Sequence, residues 1–507
     1  MDKRKGFLNI TVSILCQVLT MVTAILVKRI LIDQCGNDVN GLNTLYLSIV
    51  GFLSIAELGV GSAISFCMYK PIVEGNVAYT AALYRLFRSV YLGIGGVIWV
   101  IGLGITPFVH HFVKYYQLMD VDLHFTFMLM LLSVVITYWY GPKMSLINAH
   151  KNNYITSAIT SGGTILQSVL QIAVLLLTHS FVWYLVCRIV SNLCQGIVVT
   201  AIARKQHSNI LCHKADLSIL DRFEIIKNIK AMFMHKVGTL LVNSADNIII
   251  SIYIGANALG SYSNYNTILV SVTNLMALMF TSLTSVLGHL YAESGKDTTK
   301  RYSDLFHVLN FCLGCVIYLG FYAIINDLVM LLFGAEMLSA TIVFVITFNA
   351  FVQFMRKSVL AFRDATGTFY NDRWKPAIEG VINVILSIAF VEIGWGIAGV
   401  LAATVITNLL ICHIIEPYVL YKHAFDTTPK KYYMTNYGLI GLFFVALAVL
   451  HGCMQDTNNL LGDLFTNGFI SVGISAAVCV PVILLSKTAR QTLLQKLKGR
   501  KRYATKD

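Results

Sequence analysis

The hydrophobic positions of this chain fall into fourteen long runs that are separated by short polar segments. Each run is long enough to cross the hydrocarbon core of a bilayer as an α-helix. The pattern therefore predicts an all-α integral membrane protein with about fourteen transmembrane helices. The runs lie near residues 7–30, 44–68, 88–110, 123–147, 155–178, 181–203, 236–254, 262–290, 305–333, 340–362, 377–394, 396–415, 437–453 and 463–485.

Composition supports the same class of protein. The 507 residues are 56% hydrophobic and only 12% charged, whereas soluble domains carry about 25% charged residues. The net charge of +13 could indicate a nucleic-acid partner, but the basic residues lie in short segments between the apolar runs. We therefore expect membrane lipids around the chain and no nucleic acid.

The distribution of lysine and arginine predicts the orientation. If the N-terminus is cytoplasmic, 34 of the 38 Lys and Arg residues fall in cytoplasmic segments, as the positive-inside rule requires. The exceptions are Lys28, Arg29, Lys114 and Arg188. Both termini are then cytoplasmic, and the first run, which lacks a convincing cleavage site, is interpreted as an uncleaved helix.

A basic segment near the midpoint predicts the domain organisation. Residues 204–235 form a cytoplasmic loop between an N-lobe (1–203, helices 1–6) and a C-lobe (236–415, helices 7–12). Residues 416–507 hold helices 13 and 14 and a basic tail. Six helices per lobe permit a parallel pseudo-repeat around a central cavity. Weak support comes from identical glycine spacing after the first helix of each lobe, Gly36 to Gly41 and Gly255 to Gly260.

Polar side chains recur at helical spacing in the fifth and sixth runs. The sixth run carries Arg188 in the middle of such a stripe, and the fifth carries a matching one. Lipid does not tolerate these faces, so they should line a water-filled cavity or pack against protein. Arg188 is either a substrate ligand or an arginine held by helix carbonyls. The two stripes are Tyr184, Arg188, Ser191, Asn192 and Gln195, and Thr160, Thr164, Gln167 and Gln171.

Two further cations break the positive-inside pattern at the outer end of the first helix. Lys28 shares a helix face with Ser13 and Gln17, and Arg29 follows it directly. Their side chains could extend to the outer headgroups. Alternatively, they bind an anionic substrate.

Two acids lie inside apolar runs. Asp246 is accompanied on its helix by Asn243 and Asn247, and Glu57 lies in the second run, which we expect to end at Lys70-Pro71. An intramembrane acid beside amides suits a proton or cation site. A hydrogen bond that joins two helices is the alternative explanation.

Motifs of catalysis are not found in the sequence. It contains no Walker A, HExxH or GxSxG motif, and we expect no catalytic residue, cofactor or metal site. Asp120 and Asp122 form a DxD sequence in a short external loop, which we interpret as a solvated turn. Cys312 and Cys315 have CxxC spacing within an apolar run, where core packing is the expected role.

Several segments resemble one family of transporters. They include GLNTLYLSIVGFLSIAELGVGSAISFCMYKPI from Gly41, INAHKNNYI from Ile147, SADNIIISIYIGANALGSYSNYNTI from Ser244, and the late segments GVINVILSIAF and WGIAGVLAATVITN. Together they are similar to the polysaccharide and O-antigen flippases of the multidrug/oligosaccharidyl-lipid/polysaccharide exporter superfamily. Arg29 falls where family members place an arginine at the end of helix 1. The match is weaker at helices 13 and 14.

The resemblance implies a bacterial plasma-membrane flippase that is not an enzyme. By alternating access it would move a polyprenyl-pyrophosphate-linked oligosaccharide to the outer leaflet for capsule, O-antigen or exopolysaccharide synthesis, beside a polysaccharide polymerase. The candidate substrate ligands are Arg188, Arg29, Lys28, Gln171, Gln195, Asn192 and Tyr184, and the candidate ion-coupling residues are Asp246, Glu57, Asn243 and Asn247. A cation-coupled multidrug exporter of the same fold is the main alternative, and an integral-membrane polymerase or ligase is the third.

Overall fold

The computed structural model describes residues 3–54, 60–150, 152–213, 217–220, 244–455 and 459–486. These residues form sixteen α-helices, joined by short turns, and contain no β-strand. The predicted runs are helical over nearly all of their described residues, which confirms the all-α membrane fold. By length and composition, ten helical segments of the described chain can cross a membrane.

The chain divides into two compact units, and the first comprises Met1–Ser263 with Leu332–Ala335. In this unit α1 packs on α2 and α7, and α8 packs on α5, α6 and α7. Its helices are α1 (Lys3–Cys35), α2 (Asn37–Leu53), α3 (Val60–Val73), α4 (Val77–Ile105), α5 (Leu123–Val135), α6 (Thr137–Ala149), α7 (Asn153–Thr178), α8 (Phe181–Leu211), α9 (residues 244–253) and the start of α10.

The second unit comprises Asn264–Leu331 and Glu336–Asp507. Here α11 packs on α13, α14 and α15, and α12 packs on α13. Its helices are the remainder of α10 (Ala256–Phe333), α11 (Ala340–Thr366), α12 (Lys375–Glu392), α13 (Gly396–Thr407), α14 (His413–His423), α15 (Lys430–Cys453) and α16 (Leu460–Leu485). A π-helical turn, Asn408–Cys412, joins α13 to α14, and Gly295 interrupts α10 with a φ of +74°.

Two local expectations can be checked against these helices. Helix α3 continues through Pro71 to Val73, so it ends two residues later than the predicted end at Lys70-Pro71. Asp122 caps α5, because its Oδ1 accepts hydrogen bonds from the backbone N–H groups of His124 and Phe125. Asp122 thus has the structural role expected of a turn residue.

The CxxC pair lies at a helix contact in the second unit. Cys315 is buried, and Ser475 of α16 donates a hydrogen bond to its carbonyl oxygen over 3.5 Å. The thiol of Cys479 donates to the carbonyl oxygen of Cys312. Small side chains on α16 therefore allow it to lie close to α10, as small residues do between membrane helices.

Candidate substrate and ion-coupling sites

The antiparallel contact of α7 with α8 determines where the predicted polar stripe lies. Gln171 Nε2 donates to the carbonyl oxygen of Tyr184 over 3.2 Å, and Ser191 Oγ donates to that of Gly163 over 2.8 Å. Gly163 permits this approach, because a Cβ there would lie 2.2 Å from the Gln195 side chain. Tyr184, Ser191 and Gln195 therefore hold the two helices together.

Asn192 points to a different neighbour. Its Nδ2 donates a 2.7 Å hydrogen bond to the carbonyl oxygen of Ser133 on α5. The stripe that helical spacing grouped together is thus divided between two helix contacts. Three of its side chains and the backbone carbonyl of Tyr184, together with Gln171, contribute to packing, which is the alternative explanation considered for polar residues in these helices.

Arg188 is the member of the stripe that differs. It is half-buried two turns into α8, and the register of the helix contact places it at the level of Gln167. Gln167 in turn donates to Gln171 Oε1 over 3.3 Å. Within the described part of the chain, Arg188 forms no salt bridge and no side-chain hydrogen bond. Its guanidinium group therefore remains available to an anion.

Lys28 is bound within the first unit. Its Nζ donates to the carbonyl oxygen and to Oγ of Ser263, over 2.7 and 2.6 Å, and lies 5.5 Å from the centre of the Phe333 ring. A side chain held in this way does not extend to the headgroups. Lys28 instead belongs to a polar connection between α1 and α10.

Arg29 has a carboxylate partner, Asp33, that was not predicted from the sequence. Its Nε donates to Asp33 Oδ2 over 2.8 Å. The guanidinium group also packs closely on Gly334, since a Cβ on that glycine would lie 2.2 Å from Arg29 Nη1. The spacing of four residues between Arg29 and Asp33 is the signal that could have revealed this pair. The positive charge at the end of α1 is therefore partly balanced.

Two of the four candidate ion-coupling residues, Asp246 and Asn247, lie on α9. Asp246 is buried, with 8% of its surface exposed, and Tyr262 of α10 lies near it. Asn247 Nδ2 donates to Ser48 Oγ over 2.9 Å, which joins α9 to α2. Glu57 and Asn243 lie outside the described residues.

A continuous series of hydrogen bonds links the two predicted groups. Ser48 Oγ donates to the carbonyl oxygen of Thr44 over 3.0 Å, and Thr44 Oγ1 donates to Ser263 Oγ over 3.0 Å. Ser263 accepts from Lys28, and Ser48 accepts from Asn247. Lys28, a predicted substrate ligand, and Asn247, a predicted ion-coupling residue, thus share one polar network across four helices.

A buried ionic network in the second unit was missed from the sequence. Glu416 accepts from Arg356 Nε and Nη2, over 3.1 and 2.6 Å, and from Lys375 Nζ over 2.5 Å. Glu379 lies 3.3 Å from Lys375 Nζ, and the π-helical turn brings Asn408 onto Arg356. The two cations and two acids balance one another.

A second buried ion pair, formed by Arg363, lies two helical turns beyond Arg356 along α11. Arg363 binds Asp372 over 2.7 Å and Asp364 over 2.9 Å. The count of lysine and arginine residues places Arg363 in a cytoplasmic segment, because the apolar run ends near residue 362, whereas α11 continues to Thr366. For the network around Glu416, the i,i+4 spacing of Lys375 and Glu379 was the signal visible in the sequence.

The fold is similar to that of solved membrane proteins, among them one described as a transporter of the MOP superfamily. The chain is similar to a structure described as lipid II flippase MurJ in an inward closed conformation, with a TM-score of 0.64 and 12% identity, over 94% of this chain and 98% of that one. It is also similar to an inward-facing multidrug resistance MATE family transporter, with a TM-score of 0.63 and 13% identity, over 86% and 98%. No family model and no curated protein matches the chain.

A third similar structure is the MATE multidrug transporter DinF-BH in complex with R6G. Its TM-score is 0.60 at 14% identity, and the match covers 84% of this chain and 97% of that one. The structural similarity establishes a common fold, but at identities this low it leaves the substrate open. The choice between a lipid-linked substrate and a drug must come from the residues of this chain.

Proposed function

We propose that the protein translocates a polyprenyl-pyrophosphate-linked oligosaccharide across the bacterial plasma membrane by alternating access. The observation that carries this proposal is Arg188, a half-buried cation in an apolar helix that has no salt bridge among the described residues. Both termini would be cytoplasmic, and the glycan would be delivered outside for polymerisation into a surface polysaccharide.

The contrast between Arg188 and the arginines of the second unit supports a ligand role. Arg356 and Arg363 each bind carboxylates, as buried arginines usually do. An arginine within a transmembrane helix is costly to insert, and at the helix centre the cost reaches about 2.5 kcal/mol on translocon scales. A partner anion offsets that cost, and a pyrophosphate can accept two parallel hydrogen bonds from one guanidinium group.

The surroundings of Arg188 suit a glycosylated ligand. Gln167 lies at the same level of the α7–α8 contact and is half-buried, so its amide can reach a bound molecule. Amides both donate and accept hydrogen bonds, which matches sugar hydroxyls. The structural neighbour MurJ is described as a lipid II flippase, and this supports a lipid substrate for the fold.

A cation-coupled multidrug exporter is the second candidate. Asp246, buried on α9, is the observation that favours it, because a buried acid can carry a proton or cation. The MATE multidrug transporters among the structural neighbours agree with either candidate. Transport assays can separate the two.

The test is translocation of lipid-linked glycan from the native host in proteoliposomes, normalised to folded protein. Arg188→Ala should abolish translocation while the protein still inserts and remains monodisperse. Arg188→Lys should recover only part of it, since an ammonium group cannot form the planar bidentate contact. Arg363→Ala, which removes an arginine bound to two carboxylates, should instead reduce the yield of folded protein.

The opposite results identify the alternatives. Wild-type translocation by Arg188→Ala would remove Arg188 from substrate binding. Transport of rhodamine 6G driven by an ion gradient, with no translocation of the glycan, would establish the drug exporter.

A further inference from the structure

Three basic side chains from three helices of the first unit converge at one end of it. They are Arg88 on α4, Lys143 on α6 and Arg204 on α8. Arg88 and Arg204 both lie close enough to Lys143 for their positive charges to repel its ammonium group. We call these three residues the basic triad.

The contact of α6 with α8 holds two members of the triad together. Lys143 Nζ donates to Thr200 Oγ1 over 2.8 Å. One turn before Thr200, Gly196 brings the helices close, because a Cβ there would lie 2.7 Å from the Trp139 ring. One turn after Thr200 on the same face of α8 is Arg204. The face of α8 that carries Gly196, Thr200 and Arg204 therefore lies along α6, and it brings Arg204 near Lys143.

The contact of α4 with α6 brings the third member. A Cβ on Gly141 would lie 3.1 Å from the Tyr91 ring, so the two helices meet just before Lys143. Arg88 lies one turn from Tyr91, toward the start of α4, and its charge also acts on Tyr84. Since α4 and α6 run in opposite directions, Arg88 and Lys143 lie on the same side of this contact.

The charge of the basic triad is uncompensated within the described chain, where none of its members forms a salt bridge. The network around Glu416, by contrast, contains equal numbers of acids and cations. Lys143 is half-buried with its Nζ 4.5 Å from the centre of the Trp139 ring, a position typical of a membrane interface. Three neighbouring cations of this kind favour a bound anion, and a pyrophosphate carries enough negative charge to contact all three.

We infer that the basic triad binds the pyrophosphate headgroup of a polyprenyl lipid at the cytoplasmic surface before translocation. This inference rests on the proposed function for its substrate class, and on the positive-inside rule for the side of the membrane. Arg88 and Arg204 are exposed and can reach a headgroup at the interface, while Lys143 is fixed by Thr200. The site is separate from Arg188, which lies near the opposite end of α8.

Equilibrium binding tests the inference without any transport step. The full-length protein is placed in phosphatidylcholine nanodiscs and titrated with farnesyl diphosphate, a short polyprenyl diphosphate. Arg88→Gln, Lys143→Gln and Arg204→Gln should each weaken binding about threefold to tenfold, the range expected for the typical net contribution of one hydrogen bond. The triple variant should lose measurable binding. Lys205→Gln, which removes the same charge one position away, should bind as the wild type does.

Three results would overturn the inference. The first is an unchanged dissociation constant for the folded triple variant. The second is loss of farnesyl diphosphate binding when phosphatidylglycerol replaces phosphatidylcholine, which would show a general site for anionic phospholipids. The third is equal competition by inorganic pyrophosphate, which would show a site for a soluble anion.

The outcome is distinguishable from failure of the proposed function. A wild-type protein that binds farnesyl diphosphate through the triad but translocates no glycan would refute the flippase and retain the site. A protein that translocates glycan, while all three variants bind as the wild type does, would refute the site and retain the flippase.

Discussion

Gly41 and Gly260 face each other across the contact of α2 with α10. A Cβ on Gly41 would lie 1.8 Å from the carbonyl oxygen of Ala256 and 2.8 Å from the Gly260 nitrogen, and a Cβ on Gly260 would lie 2.2 Å from the carbonyl oxygen of Asn37. In the sequence, Gly36 precedes Gly41 and Gly255 precedes Gly260 by the same five residues. Gly36 and Gly255 both have a positive φ, of 92° and 128°. Two segments with the same glycine spacing therefore make reciprocal contacts.

The first prediction concerns Gly41. Gly41→Ala should destabilise the protein by about 1–3 kcal/mol, because the added methyl group meets backbone atoms that cannot move aside. Gly93→Ala is the matched control, since nothing lies within 4 Å of a Cβ at that helical position. Thermal unfolding in detergent, followed by size-exclusion chromatography, measures both. Equal unfolding midpoints for Gly41→Ala and the wild type would contradict the close contact.

The second prediction concerns the buried ionic network. Glu416 is 1% exposed and binds both Arg356 and Lys375. Glu416→Gln should cost about 3–5 kcal/mol, because it leaves buried cations without their carboxylate. Adding Lys375→Met should recover part of the loss. The yield and unfolding midpoint of purified protein provide the measurement.

An exposed ion pair in the same unit provides the control for that prediction. Lys296 and Asp426 form a salt bridge with more than half of each side chain accessible to solvent. Asp426→Asn should leave the unfolding midpoint unchanged, since water screens exposed pairs. Comparable losses from Asp426→Asn and Glu416→Gln would show that burial does not govern the effect.

The third prediction concerns ion coupling. Asp246→Asn should impair transport more than folding, because a buried acid can carry an ion that its amide cannot. The comparison is transport in proteoliposomes with and without a proton or sodium gradient. Asn247→Asp adds an acid at the adjacent position, and it should not restore transport to Asp246→Asn. Normal gradient-driven transport by Asp246→Asn would exclude this residue from the mechanism.

The fourth prediction concerns orientation and uses two native cysteines. Cys212 and Cys453 are exposed and lie at the predicted cytoplasmic end of α8 and the predicted external end of α15. Variants that retain only one of them should be labelled in intact cells by a membrane-impermeant maleimide at Cys453 but not at Cys212. Both should react after permeabilisation. The reverse pattern in intact cells would invert the topology.

The sequence by itself determined the helices and the class of protein. Long apolar runs leave a chain few options in a bilayer, where each backbone polar group needs an internal partner, so the period and length of the runs were sufficient. The glycine spacing was also visible in the sequence. Its meaning required the structure, because only there do Gly41 and Gly260 meet.

Helix ends and charge partners were harder to predict. Helix α11 continues past the last apolar residue of its run and buries Arg363, so a cation that was counted in a cytoplasmic segment is paired inside the protein. Charged residues can continue a helix when another helix supplies their counterions. That partner can be distant in sequence, as Glu416 is from Arg356.

Helical spacing placed Arg188, Ser191, Asn192 and Gln195 in one polar stripe, but it could not say which of them face a neighbour. The tertiary structure decided this by packing Ser191 and Gln195 on α7 and Asn192 on α5, while leaving Arg188 without a carboxylate among the described residues. Periodicity reports the direction of a side chain from its own helix axis. Whether that direction meets a neighbouring helix depends on contacts between residues far apart in the chain, and these exist only after the helices have packed.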